Sequence, residues 1–531
     1  MLLVFLKYGE KPVSREETLP PLPPQCPKSD DPAAWQAYSD QWSAYAEYYK
    51  DRNEDIKETE AWRHYCEYWI IHWRQYDHFF WRTEPEIDRQ RKEELARRQV
   101  IEPDIKKGIY PFKDMKLTRA DIEFLLATHE NRRGPVNWSD ANQQDREGLD
   151  LRGADLRGAE LSNLPLARLR GGLDWPDWHP ALPAERTMAA IQMERAILNH
   201  AKLEGAILTN ARMEEANLSY AQLKKANLAY AQLKKANLSE VEMEEAILTG
   251  AQLKEANLSG ARMKAAISPE ALLEGANLTE AQLKGADLSE AQMKGANLYK
   301  THLEEANLSE AKLEGAKLAG VNLCGEGRIG PRLADVQWGN TNLSVVKWSQ
   351  MEMLGDEHLA CHEKKKKNDR EVKNKDMQLQ DYYERAVRAN RQLAVALQAQ
   401  GLNEEAARFA YRAQKLQRAV FRLQGKFGKY LFFGFLEVLA GYGYRPGFTV
   451  LWYLSTLCIF TLLYLLLGHV SILGAFLLSL TSFHGRGFFP SNNITPGNPI
   501  LVGMFAGFEA VIGLFIEISF IATFTQRFLG K

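Results

Sequence analysis

The longest regular pattern in the chain is a repetition of apolar positions every five residues. From Met193 to Leu323 nearly every fifth residue is Leu or Met, and the residue two places before it is nearly always Ala. A period of five matches neither the 3.6-residue period of a helix nor the two-residue period of a strand. The chain must therefore turn a corner once per repeat and point each Leu or Met into a shared interior, which predicts a solenoid.

The repeat unit is plain at 226–230 (ANLAY) and 236–240 (ANLSE). It resembles the A(D/N)LXX consensus of the pentapeptide-repeat family over 27 consecutive windows. The resemblance implies a right-handed quadrilateral β-helix with four repeats per coil, and with coils about 4.8 Å apart it implies roughly seven coils. Ser268-Pro269 interrupts the pattern, and because Pro cannot donate to a ladder we expect a distorted corner there. Milder departures stand at Val241, Thr301 and Val321.

The repeat domain is predicted to extend beyond its most regular part, to residues 148–353. After Leu323 a bulged turn at 326–330 precedes further residues in the same phase, among them Trp338 and Trp348, which are expected to cap the coil. A short run at 151–161 has the same spacing in another phase. The segment 165–190, rich in Trp, Pro and Gly, is therefore predicted to loop out as an insertion.

The charge of the repeats is mixed. Between residues 193 and 323 there are 15 Lys and Arg against 18 Asp and Glu, and the whole chain has a formal net charge of -1. This pattern predicts a solvated exterior of paired charges and no nucleic-acid partner.

The C-terminal domain, residues 446–531, is predicted to lie in a membrane. Residues 447–468 carry no charge over a membrane-spanning length, and residues 500–524 form a second apolar run that contains Glu509 and Glu517. Between them, residues 471–480 are apolar over only half that length, which predicts a re-entrant half-helix or a surface segment.

Residues 447–527 resemble two-transmembrane pore-loop ion channels. Gly485 and Gly487 match the two glycines of the T-V-G-Y-G filter of potassium channels, whereas Arg486 replaces its aromatic residue and no Asp follows. Potassium selectivity therefore does not follow from the resemblance. The resemblance to pore-loop channels implies a homo-oligomer with fourfold symmetry, and it implies a permeant ion and membrane lipids as partners. The candidate pore or selectivity residues are Thr481, Ser482, Phe483, His484, Gly485, Arg486, Gly487 and Phe488.

The sequence leaves more than one possible role for each of three charged residues in this domain, Arg486, Glu509 and Glu517. Arg486 either pairs with Glu509 and braces the loop, or contributes to a ring at the outer mouth that favours anions or lowers cation flux. Glu509 also fits the channel pattern, with Gly513 four residues later. Glu509 and Glu517 are eight residues apart, so they lie on nearly the same helix face, and both are predicted to face the pore or another subunit.

The distribution of basic residues sets the predicted orientation. Lys and Arg are frequent before the first span and follow the second, whereas the connecting loop holds only Arg486. By the positive-inside rule both termini are cytoplasmic in a multi-pass protein of the inner (plasma) membrane. The apolar start at 1–6 is too short for a signal peptide.

Two further regions are predicted to be α-helical. In the N-terminal region, residues 1–147, aromatic residues recur at helical spacing at 35–49 and 62–76, and Thr118 begins a capped helix. Residues 354–445 comprise a basic linker, a helical hairpin broken at Gly401 that resembles one tetratricopeptide unit, and an interfacial elbow. A lone hairpin buries its faces poorly, so we expect it to pack on the membrane domain or on its copies.

No pattern predicts an enzyme. The five Cys are scattered, and no nucleophile with a base, metal-ligand spacing or phosphate-binding loop is visible, so no metal and no cofactor are expected. The predicted function is an oligomeric ion channel with a cytoplasmic pentapeptide-repeat scaffold or gating domain. The alternative is a membrane-anchored scaffold that binds a protein partner. The half-length segment, the Gly-Arg-Gly loop and Glu517 favour the pore, because an anchor needs none of them.

Overall fold

The computed structural model of the protein describes residues 81–82, 85–143, 145–367, 375–444, 446–468, 471–485 and 499–524. The predicted aromatic helices at 35–49 and 62–76 lie outside these residues.

The repeats form a β-helix in which each residue pairs with the one twenty positions later. Parallel bridges join Asn217 to Asn237, Asn237 to Asn257, and so on along the domain. Twenty residues per coil means four repeats per coil, as the resemblance to pentapeptide-repeat proteins implies. The rungs are isolated bridges, and the described residues contain no extended strand.

Backbone hydrogen bonds show how one repeat turns a corner. The Leu218 N–H donates to the Asn237 carbonyl in the next coil at 2.7 Å, and the Tyr220 N–H donates to Ser239 at 2.9 Å. Tyr220 has φ of 58°, in the left-handed region, which completes a turn of the type II kind. The N–H between them, at Ser219, donates to the Asn217 side chain at 3.2 Å and does not join the ladder.

This arrangement explains why the expected distortion at Ser268-Pro269 is wrong. Ser268 donates to Asp287 at 2.7 Å, and the Pro269 carbonyl accepts from Gly250 at 2.9 Å, as at other corners. Pro269 takes the position whose N–H is not used by the ladder, and its fixed φ suits the first central residue of a turn. The corner therefore loses no ladder hydrogen bond.

The interior of the β-helix consists of the central Leu and Met residues and the Ala residues two places before them, nearly all fully buried. On one face, asparagine side chains form a second ladder, in which Asn237 Nδ2 donates to Asn217 Oδ1 and Asn257 Nδ2 donates to Asn237 Oδ1, both at 3.1 Å. These bonds satisfy partly buried amides between coils.

The insertion is shorter than the predicted 165–190. Pro165 completes the first coil and bridges Lys202, and Arg170 begins the second coil, where it bridges both Asp150 and Ile207. Proline fits at 165 because the N–H at this position donates to a preceding coil elsewhere in the repeats, and the first coil has none. The later part of the insertion holds helices α3 (Trp175–Trp178) and α4 (Pro183–Ala189), numbered after α1 (Arg89–Gln99) and α2 (Arg119–Arg132).

Helices α1 and α2 cover the first coil. The predicted capped start is confirmed: the Thr118 side chain accepts from the Asp121 N–H, and the Asp121 carboxylate accepts from the Thr118 N–H. Asp121 also receives two hydrogen bonds of 3.0 Å from Arg91 of α1. Leu95 and Ile122 are fully buried in a core that continues into the β-helix.

A helical hairpin covers the other end. A 3₁₀ turn at Glu326–Arg328 bulges out of the coil, after which Arg332 bridges Asn307 and one further coil forms, as predicted. Helix α5 (Gly355–Lys367) follows, and then the hairpin α6 (Lys375–Ala399) and α7 (Asn403–Leu423).

The hairpin packs on the last coil of its own β-helix, a surface that the sequence analysis did not consider, and its packing on other copies stays a prediction. Phe409 of α7 meets Trp348 edge to face, with ring centroids 6.2 Å apart. The Gln400 side chain extends the ladder, because it accepts from the Leu343 N–H at 2.8 Å and donates to the Thr341 carbonyl at 2.7 Å. The open apolar end of the coil supplies the surface that the hairpin needs.

Four helices complete the described chain: α8 (Phe427–Ala440), α9 (Pro446–Gly468), α10 (Ile472–Phe483) and α11 (Pro499–Phe524). Helices α9 and α11 contain stretches of 20 and 21 residues that are long and apolar enough to cross a membrane. The shorter α10 packs against both of them.

Replacement of Leu238 by Asp tests the interior of the β-helix. Leu238 is fully buried, so the substitution places an unpaired charge in the core and we expect a loss of several kcal/mol. Lys234→Ala, at an exposed corner of the preceding repeat, is the control and should change little. The midpoint of thermal unfolding is the measurement, and similar shifts for both variants would argue against a solenoid interior.

A buried carboxyl at the C-terminal cap makes the stability of this region depend on pH. Asp356 of α5 is 4% exposed and accepts the Leu333 N–H at 2.7 Å. Burial raises the pKa of Asp356 from 3.8 to about 6. Since the folded pKa is the higher one, this group opposes folding as pH rises from 3.8 to 6, by about 3 kcal/mol at the upper end.

We therefore expect Asp356→Asn to be more stable than the parent protein at pH 7.5, because the amide still accepts the Leu333 N–H and carries no charge. The advantage should be smaller at pH 5, as the parent carboxyl becomes protonated. Thermal unfolding of the full chain at both pH values measures the effect, with the exposed Glu290→Gln as control. A variant that is less stable at both pH values would contradict this account.

Candidate functional site

Helix α10 enters the bundle beside the end of α9 and stops part-way along it. The Ser471 side chain caps α10 by accepting the Gly474 N–H at 3.2 Å. At the other end, His484 Nε2 lies 3.4 Å from the hydroxyl of Tyr453, which is the eighth residue of α9. Twelve helical residues are about 18 Å long and the 23 residues of α9 about 34 Å. Helix α10 therefore covers roughly half of the bundle.

A buried carboxylate joins the three helices. Glu509 of α11 is fully buried and accepts from the Tyr464 hydroxyl of α9 at 2.7 Å and from the Ser479 hydroxyl of α10 at 2.5 Å. Ser479 also lies 3.3 Å from the Leu457 carbonyl. Each Glu509 oxygen has a hydroxyl donor, so the contact fixes α10 between its neighbours.

A second polar contact lies at the C-terminal end of α10. His484 Nδ1 and the Glu517 carboxylate are within hydrogen-bonding distance, and their side chains are 40% and 38% exposed. A cavity of about 350 Å³ opens beside them. Apart from this pair its lining is largely apolar: Thr449, Val450, Tyr453, Ile516, Phe520 and Ile521.

Gly513 allows the closest approach between α11 and the end of α10. A Cβ atom at this position would lie 2.1 Å from the Phe483 carbonyl oxygen. Only glycine fits there without movement of the backbone. The position and orientation of the last turn of α10 thus depend on one residue of α11.

The predicted pore residues divide into three groups. Thr481, Ser482 and Phe483 belong to the last turn of α10, which extends three residues beyond the apolar segment 471–480, and their role in a pore stays a prediction. The Thr481 hydroxyl donates to the Leu477 carbonyl at 2.9 Å. His484 and Gly485 end the helix, with Gly485 at φ of 69°. Arg486, Gly487 and Phe488 lie outside the described residues.

The two glutamates differ from each other in their surroundings. Glu509 was predicted to face the pore or another subunit, but within one chain it is enclosed by Tyr464 and Ser479, whose hydroxyls satisfy it. Glu517 lies at the surface of the bundle beside His484, and its contact with a pore or subunit stays a prediction. The sequence analysis missed Tyr464 and Ser479. Each of these residues carries a hydroxyl group within an otherwise apolar segment, and this pattern could have indicated a polar contact inside the bundle.

The structure is that of a β-helix capped by helices at both ends and joined to a bundle of apolar helices. The family model for pentapeptide repeats matches eight copies over residues 196–229, 226–264, 270–304 and 306–325. The chain therefore contains a pentapeptide-repeat domain, as its sequence pattern indicates.

Several solved structures are similar in part. HetL, a pentapeptide repeat protein involved in heterocyst differentiation regulation from Nostoc sp. strain PCC 7120, is 24% identical, with 35% of this chain and 90% of HetL covered and a TM-score of 0.17. QnrB1, a plasmid-mediated fluoroquinolone resistance protein, is 16% identical, with 32% and 85% covered and a TM-score of 0.19. The pentapeptide repeat protein alr5209 of Nostoc PCC 7120 is 31% identical, with 15% and 69% covered and a TM-score of 0.10. Among curated proteins, none matches the chain significantly.

Substitution of two glycines in α11 tests the packing of α10. Gly513→Ala places a methyl group against the Phe483 carbonyl, so we expect a loss of about 1–3 kcal/mol or a displaced α10. Gly507→Ala is the matched control, because no atom lies within 4 Å of its added Cβ. Thermal unfolding in detergent measures the difference. Equal stability of the two variants would contradict the close contact.

Proposed function

We propose that the chain is a subunit of an oligomeric membrane ion channel. In this proposal α9 and α11 span the inner (plasma) membrane, α10 is a re-entrant half-helix, and both termini and the β-helix are cytoplasmic. The β-helix is a scaffold or gating domain. The proposal assigns the chain no enzymatic role and needs no metal or cofactor.

The observation that carries the proposal is the end of α10 within the bundle. The last carbonyl groups of a helix lack partners within the helix. In the hydrocarbon core of a membrane such groups cost several kcal/mol each unless protein or water reaches them. A half-helix that ends at this depth is therefore consistent with a water-filled path that begins beside Gly485.

The exposed His484–Glu517 pair supports more than one subunit. Both side chains lie at the surface of a helix bundle whose other exposed residues are largely apolar. Contact of ionisable groups with lipid is unfavourable, and such groups usually face a bundle interior or a water-filled cavity. A further copy of the chain, or the pore that several copies enclose, would remove the pair from lipid. Four copies follow from the resemblance to pore-loop channels.

Two features of the proposed path act on ions in opposite directions. The C-terminal end of α10 carries the negative end of the helix dipole, which favours cations. A ring of Arg486 side chains, one from each subunit, would favour anions or lower the cation flux. The balance between them sets the selectivity.

Conduction by the purified protein in planar bilayers tests the proposal. We expect currents, and we expect Arg486→Glu to shift the reversal potential in a salt gradient toward cation preference, because a charged ring sets the local ion concentration. The shift should shrink at 1 M salt, where the Debye length is about 3 Å.

The control for this experiment is Lys234→Glu, the same change of charge on the β-helix, which should leave the reversal potential unchanged. Equal reversal potentials for Arg486→Glu and the parent protein would assign Arg486 to bracing the loop. A lack of currents at all voltages and in all lipids would favour the membrane-anchored scaffold.

A further inference from the structure

Helix α8 connects the cap of the β-helix to the bundle. Arg418 of α7 donates to the Glu437 carboxylate of α8 at 2.7 Å. Trp452 of α9 donates from Nε1 to the Val438 carbonyl at 2.9 Å, and Phe435 meets Phe515 of α11 edge to face with ring centroids 6.3 Å apart. One side of α8 is thus held by α7, α9 and α11.

The rest of the surface of α8 carries a continuous apolar face, and Phe435 lies at its edge because it also contacts Phe515. Its residues follow one another at i, i+4, i+8 and i+11, which places them on one face of a helix, with a fifth residue beside them. Their exposed fractions range from 49% to 67%. They are Phe427, Leu431, Phe432, Phe435 and Val438. A contiguous surface of this kind marks an interaction site.

Basic residues flank this face. From residue 415 to 445 the sequence holds six Lys and Arg and a single acidic residue, Glu437, which Arg418 engages. Lys426 and Lys429, at the beginning of α8, are exposed. The charge around the apolar face is therefore positive.

We propose that the apolar face of α8 lies in the cytoplasmic leaflet of the membrane and that Lys426 and Lys429 bind the head groups of anionic phospholipids. The inference rests on the proposed function, in which α9 spans the membrane. A bilayer fits this face because the first turns of α9 contact α8 through Trp452, which places the face beside the start of the span. With 14 residues α8 is about 21 Å long, which suits a helix in the plane of the interface and not one that crosses it.

This position gives the lipid an influence on both domains. Helix α8 touches α7, which packs on the last coil of the β-helix, and it touches α11 beside the proposed path. A bound leaflet would hold α8, and with it the cap of the β-helix, in a fixed position relative to the bundle.

Site-directed fluorescence on the full chain in liposomes tests the position of the face. The five native Cys are replaced by Ser, and a polarity-sensitive fluorophore is attached to a single Cys at Leu431, at Leu462 on the exposed side of α9, or at Glu240 on the β-helix. Spin-labelled lipids should quench the probes at 431 and 462, and aqueous iodide should quench the probe at 240 several-fold more strongly than the probe at 431.

The probe at Leu462 separates two kinds of failure. A probe at 431 that is as accessible to iodide as the probe at 240, with the probe at 462 still quenched by lipid, would overturn the position of α8 and leave the proposed function intact. Access of iodide to the probes at both 431 and 462 would contradict the proposed function itself.

The head-group preference is tested with Lys426→Gln/Lys429→Gln. Phosphatidylglycerol added to the protein in phosphatidylcholine nanodiscs should raise the midpoint of thermal unfolding, and the double variant should need roughly 30-fold more anionic lipid for the same shift, because each of the two Lys near such a surface contributes about 1 kcal/mol. Lys234→Gln/Lys235→Gln on the β-helix removes the same charge and should behave as the parent protein. An equal lipid requirement of the two double variants, or an equal shift with inorganic phosphate, would overturn the binding of anionic lipid by α8.

Discussion

Each backbone N–H and C=O that the chain removes from water needs a partner, and the rest of the structure depends on this constraint. Within the β-helix the next coil supplies the partner. Only the backbone groups of the first and last coils lack a neighbouring coil on one side. At the C-terminal end side chains take over, since Gln400 and Asp356 bond to the backbone of the last coils. At the first coil Arg119 donates to the Ser162 carbonyl at 3.0 Å. Caps of this kind end the stack of coils without leaving its terminal backbone groups unpaired.

The same constraint applies to the C-terminal bundle. A pair of spanning helices satisfies its own backbone, whereas the half-helix α10 ends inside the bundle and leaves carbonyl groups without helical partners. Glu509, Gly513 and Ser479 hold this end in place. Specific contacts therefore fix the position of this backbone end within the bundle. The contacts of Phe409 with the last coil, of Arg418 with α8, and of α8 with α11 connect the bundle to the β-helix.

The sequence predicted those parts of the structure that depend on local repetition. The five-residue period requires one corner per repeat, the resemblance to pentapeptide-repeat proteins adds four repeats per coil, and the lengths of the apolar segments distinguish α10 from α9 and α11. It failed where a residue's role depends on the hydrogen bonds of its neighbours. Pro269 and Pro165 look like breaks, but both occupy positions that need no N–H. The docking of the hairpin on the last coil and the enclosure of Glu509 arise from contacts between distant segments, which no local pattern encodes.

The central claim is that several copies of the chain close around a path beside α10, since one bundle leaves His484 and Glu517 at its surface. The most direct measurement is the mass of the full-length protein released from lipid nanodiscs, by native mass spectrometry. The account predicts a closed ring of identical 60.4 kDa chains, with four as the expected number. A single chain as the dominant species at all protein concentrations would contradict it, because two spanning helices and one half-helix cannot enclose a pore.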